Sequence, residues 1–116
     1  MEETPEEDLS VEYANNVLLE PTIWDLKVLF GEYTNRAQKV EWHTSMTMPW
    51  ATAKLLMYFL QVHIAIYETH MQKIKIPHAA IPTAPAAPTP EQNDEAAKVL
   101  FEKVRLLHEQ FVQSLH

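Results

Sequence analysis

The sequence contains no cysteine, which excludes disulfide frameworks, thiolate metal sites and cysteine nucleophiles. It contains a single glycine, Gly31. Loops that cradle phosphate need several glycines so that the backbone can approach the anion, so neither a Walker loop nor a dinucleotide fingerprint can be built. The serines Ser10, Ser45 and Ser114 all stand outside any Gly-x-Ser-x-Gly turn, the strained corner that exposes a hydrolase nucleophile. Long apolar runs are also missing. The most apolar stretch, Leu55 to Leu60, is followed by Gln61 and His63, well short of the roughly 20 residues that span a bilayer. A basic start followed by an apolar run, the mark of a secretory signal, is absent as well. These absences lead us to expect a cytoplasmic protein that does not associate with membranes.

Charge is unevenly placed. The chain carries 16 acidic and nine basic residues, a net charge of -7. Glu2, Glu3, Glu6, Glu7, Asp8 and Glu12 lie in the first twelve residues, and removing those six leaves ten acidic residues against nine basic ones, or -1. Residues 1–12 read as a solvated acidic tail. The near-neutral remainder offers no basic stripe to neutralise phosphates, so no nucleic-acid partner is expected.

What is present is periodicity. Tyr13 to Glu20 is rich in strand formers towards its end and is closed by Pro21, which cannot donate to a ladder. Trp24, Leu26, Val28 and Phe30 alternate with Asp25, Lys27 and Leu29, the period of a strand with one apolar face. Gly31 follows, where a turn with positive φ is expected. Alternation resumes with Val40, Trp42, Thr44, Met46 and Met48 on one face and polar residues on the other, as in an antiparallel sheet covered on one side.

Pro49 then suits the first position of a helix. Ala53, Met57, Leu60, Ile64, Tyr67, Met71 and Ile74 form one apolar stripe at helical spacing, and Leu55, Phe59, Val62 and Ile66 form a second. A helix from Pro49 to about Lys75 is roughly 40 Å long. Three strands can cover one of its stripes and not both, so the second stripe needs a partner. Residues 77–90 hold five prolines and five alanines and read as a semi-rigid linker. Thr89-Pro90-Glu91-Gln92 resembles a capping box, opening a C-terminal amphipathic helix over residues 91–116 with Ala97, Leu100, Val104, Leu107 and Phe111 on its apolar face. The fold class expected is α+β: a three-stranded antiparallel sheet followed by one long helix, a Pro-rich linker and a C-terminal helix, with residues 13–76 as the core.

Chemistry is hard to find. Six histidines are present, but His63 and His70 are seven residues apart, about 10 Å along a helix and too far to share an ion. His43 meets either of them only if a strand and the helix converge, with Glu41 or Glu68 completing a set. Asp25, Glu41 and Glu68 fall on faces expected to be exposed. Trp24 and Trp42 sit on apolar faces, where tryptophan serves as core or interface. No catalytic residue, cofactor or metal site is expected.

The run YANNVLLEPTIWDLKVLFGEY, the strand ending MTMPWATAKLL and the segment YETHMQKIKIP resemble the bacterial and archaeal family called domain of unknown function 3467. The matching features fall on Tyr13-Ala14-Asn15, Phe30-Gly31, Met48-Pro49, Ala53-Lys54-Leu55-Leu56 and Tyr67-Glu68. The resemblance covers about Tyr13 to Pro77. Leu29 stands where an acidic residue is usual, and Met48 where a capping serine is usual. The resemblance implies a strand-strand-strand-helix unit that oligomerises, and it implies no activity.

The leading expectation is therefore a non-enzymatic homo-oligomeric interaction or structural protein. Its interface with another copy or a protein partner is expected at Leu55, Phe59, Val62 and Ile66 and at Leu100, Val104, Leu107 and Phe111. The alternatives are a chaperone-like or peptide-binding module that uses an apolar helix face, and an enzyme or metal site formed between subunits.

Overall fold

A computed structural model describes residues 9–116. Residues 1–8 of the expected acidic tail lie outside the described residues, and Leu9 to Glu12 are exposed without regular structure. Three strands, β1 (Asn16–Pro21), β2 (Asp25–Thr34) and β3 (Lys39–Pro49), precede a long helix α1 (Trp50–His70) and a second helix α2 (Glu95–Ser114). The strands form one antiparallel sheet in the order β1-β2-β3. The fold is thus the α+β arrangement expected from the sequence. The chain divides into two compact units, one reaching Val62 and one running from His63 to His116.

In the first unit the β1–β2 turn is built by Thr22. Its hydroxyl accepts from the amides of Trp24 (3.1 Å) and Asp25 (3.0 Å), the local side-chain-to-backbone pattern that competes well in turns. The Trp50 indole donates to the Thr22 carbonyl at 2.9 Å, which ties this turn to the first residue of α1. Pro49 is the last residue of β3 and not the first of the helix. It sits on an edge strand, where a missing donor is tolerated.

The core of this unit is Leu26, Val28 and Met48, with Phe30 and Ala53 packed against it. Leu26, Val28 and Phe30 are the alternating residues read from the sequence. Trp24, expected in that set, is 79% exposed: it precedes β2 and so escapes the alternation that buries the others.

Gly31 departs most from expectation. It lies inside β2, is buried, and has no positive φ. The left-handed position of the β2–β3 connection is Gln38, with φ of 56°, whose amide donates to the Thr34 carbonyl at 2.9 Å. Gly31 is needed for a different reason. A Cβ there would stand 2.8 Å from the Glu41 carbonyl oxygen, the Trp42 ring and Val40 Cγ1. Phe30 pairs with Thr44 but Gly31 pairs with Trp42, so His43 is the extra residue of a β-bulge. Because side chains alternate with period two, one extra residue transfers everything beyond it to the other face. Val40 and Trp42 therefore leave the face of Met46 and Met48, on which the unbroken alternation had placed them, and lie over Gly31.

Helix α1 runs for 21 residues, about 31 Å at 1.5 Å per residue. It stops at His70, before Lys75, and past its end the Glu68 carboxylate accepts from the Ile74 amide at 2.9 Å.

In the second unit the Pro-rich segment contains short 3₁₀ turns at His78–Ala80 and Pro90–Gln92. Thr89 makes no side-chain cap, so the expected capping box is not formed. The helix starts later, at Glu95, where Asp94 accepts from the Ala97 amide at 2.8 Å. Aspartate in an extended conformation before an acidic first turn satisfies an orphan donor and the helix dipole together.

Candidate interaction surface

Helix α1 buries none of its residues. The expectation that the sheet covers one stripe is not met, because only Ala53 reaches the core. The stripe of Met57, Leu60, Ile64 and Tyr67 is exposed, and so are Leu55, Phe59 and Ile66 of the second, with Val62 half-buried. At 3.6 residues per turn these stripes lie on roughly opposite sides of the helix, so no single neighbouring layer can cover both. A helix with apolar stripes on two sides needs cover on both. The helix carries one lysine and one glutamate, Lys54 and Glu68. Tyr58 and Phe59 make a tilted aromatic pair with centroids 5.7 Å apart.

In the second unit, Val104, Leu107 and Phe111 come together as expected of one helix face, with a partner the sequence did not disclose. They line an apolar depression of roughly 310 Å³ with Pro82, Thr83, Pro85 and His108. The imidazole Nε2 of His108 donates to the Pro82 carbonyl at 2.8 Å, because a carbonyl can only accept. Part of the segment expected to be a linker is thus laid on α2. Leu100 takes no part in the depression and is exposed. The remaining surface of α2 carries Arg105 between Glu102 and Glu109. The hydrogen bond from Arg105 holds the Glu102 carboxyl below its ordinary range, and the same contact raises the guanidinium. These groups are exposed, so the ion pairs contribute little to stability.

The polar groups singled out from the sequence do not converge. Among the described residues no group of three or more His, Asp or Glu could hold a metal ion. His43 is occupied structurally, with Nε2 donating to the Tyr13 carbonyl at 2.8 Å and Nδ1 2.7 Å from the Thr44 hydroxyl. Glu68 is engaged by the Ile74 amide. A second open depression, of roughly 490 Å³, is lined by Tyr67, Gln72, Lys73, Ile74 and Lys75. Among the described residues no helix is long and apolar enough to cross a membrane.

Sequence reasoning missed β1 as a candidate surface. Val17, Leu18 and Leu19 are exposed at 59%, 45% and 53%. The signal was three apolar residues in a row where a strand with one wet face should alternate.

No family model matches the chain, and no curated protein or solved structure is significantly similar to it. The resemblance to domain of unknown function 3467 therefore rests on its short motifs alone.

Proposed function

We propose that this is a non-enzymatic, homo-oligomeric interaction or structural protein of the cytoplasm, which acts as an assembly of identical chains. The observation that carries this reading is α1: a helix apolar on opposite sides, with no buried residue. Soluble proteins rarely leave a contiguous apolar surface of this kind unpartnered. Small chains with thin cores commonly gain their stability by association, and Leu26, Val28 and Met48 are the only apolar side chains buried among the described residues.

Lys54, Gln61 and Glu68 follow one another at seven-residue spacing and so share one polar strip between the stripes; the surface that association covers is the apolar remainder of the helix. The absence of cysteine fits a reducing compartment.

Sedimentation or native mass measurement at micromolar concentration tests the reading. A multimer that dissociates when Phe59 is replaced by Glu is the expected result, since a charge on an apolar seam is strongly unfavourable. A stable monomer would overturn it, and a monomer that retains an apolar peptide would point to a binding module.

A further inference from the structure

Resting on that reading, we propose that the copies also meet through their sheets: β1 of one chain pairs antiparallel with β1 of a second, centred on Leu18, so that two three-stranded sheets become one of six strands.

A three-stranded sheet has two edges, and the residues treat them differently. The β3 edge carries Lys39 and Glu41, a bulge at His43 and a terminal Pro49. Charge, bulges and proline are the devices that keep an edge from pairing. The β1 edge also ends in a proline, Pro21, but carries no charge, bulge or proline across Val17, Leu18 and Leu19. Glu20, its one charge, lies opposite Lys27 of β2 and is 3.6 Å from it. Residues 9–15, which lead into β1, are exposed. An open ladder of backbone donors and acceptors calls for a strand as its occupant.

The sequence of β1 specifies itself as that strand. Two copies related by a two-fold axis through the sheet keep their faces, so residues opposite one another must share a face. This leaves three registers near the middle of β1. Centring on Leu18 places Leu18 against Leu18, Val17 against Leu19, and Asn16 against Glu20. Every apolar residue meets an apolar one, and the amide of Asn16 can donate to the Glu20 carboxylate. Centring on Val17 sets Asn16 against Leu18, and centring on Leu19 sets Glu20 against Leu18 and Pro21 against Val17. Mismatched polar and apolar pairs disfavour both, since cross-strand pairs are the unit of sheet stability.

The Leu18 register also covers what the single chain leaves bare. Leu18 lies opposite Leu29 of β2. Four leucines, two from each copy, thus form one strip on the face away from Leu26 and Val28.

Because the chain has no cysteine, a single Leu18→Cys variant reports this register without background. Cβ atoms directly opposite in an antiparallel pair are about 4.5–5.5 Å apart, close to what a disulfide needs. Mild oxidation at low concentration is expected to give a covalent dimer at Leu18→Cys and none at Ser45→Cys on β3. Hydrogen exchange on the unsubstituted protein provides a second reading. If β1 is paired on both sides, the amides from Val17 to Glu20 are all protected. If it is an edge, alternate ones exchange freely. A multimer with no cross-link at residue 18 and with freely exchanging alternate amides would overturn the β1 pairing while leaving the assembly intact. A monomer would overturn both. Should Leu18→Cys fail to fold, the exchange pattern decides alone.

Discussion

The side chain of Asn15 pairs with both backbone groups of Tyr33: Nδ2 donates to the carbonyl at 3.1 Å and Oδ1 accepts from the amide at 2.8 Å. An amide side chain here imitates the next residue of a strand, extending the β1–β2 ladder one step beyond Asn16. Asn15 is the asparagine of the Tyr13-Ala14-Asn15 motif, and this pairing gives it a structural reason. Replacement by Asp keeps the acceptor but removes the donor and sets a carboxylate against the Tyr33 carbonyl. We expect Asn15→Asp to destabilise the sheet by roughly 1–2 kcal/mol, the scale of one lost hydrogen bond with some repulsion added. Asn15→Gln should recover less than half of this, because its longer side chain no longer matches the backbone spacing. Urea unfolding of the three proteins measures the difference.

Gly31 is expected to resist any substitution. Two of the neighbours at 2.8 Å from its would-be Cβ are side-chain atoms of Trp42 and Val40, but the third is the Glu41 carbonyl oxygen. Side chains can move aside, whereas the carbonyl belongs to the β3 backbone beside the bulge. We expect Gly31→Ala to cost about 1–3 kcal/mol, the range for overpacking a filled site. Combining it with Trp42→Leu should restore only part of the loss, because the backbone contact remains. Full recovery in the double variant would show that the ring alone sets the requirement.

These two residues also show how far the sequence could be read. Strand and helix identities were legible because hydrophobic period is a direct imprint of burial: the Leu26, Val28 and Phe30 alternation maps onto the core, and the change of period after Pro49 maps onto α1. What escaped was set by contacts between distant residues. Gly31 looked like a turn because glycine tolerates positive φ, yet its role comes from Trp42 and Val40 crossing above it. The bulge at His43 was invisible because an unbroken alternation from Val40 to Met48 reads as a single face. Leu55, Phe59, Val62 and Ile66 could be picked out as surplus apolar surface, whereas the contact of Pro82 and Pro85 with α2 could not, since a proline-rich run has no period to match against a helix.

The start of α2 gives a local test in which two candidate caps compete. Thr89 stands before Pro90 and three residues ahead of Gln92, the sequence pattern of a capping box, but makes no capping bond. Asp94 accepts from the Ala97 amide at 2.8 Å and is followed by Glu95 in the first turn. Loss of an N-cap side chain typically costs about 1 kcal/mol, so Asp94→Ala should lower the stability of α2 by that amount and speed exchange of the Ala97 amide. Asp94→Ser, which keeps an acceptor at the same position, should restore most of it. Thr89→Ala should leave both quantities unchanged. Amide exchange followed by NMR separates these outcomes residue by residue, and a larger effect at Thr89 than at Asp94 would move the start of the helix back to Pro90.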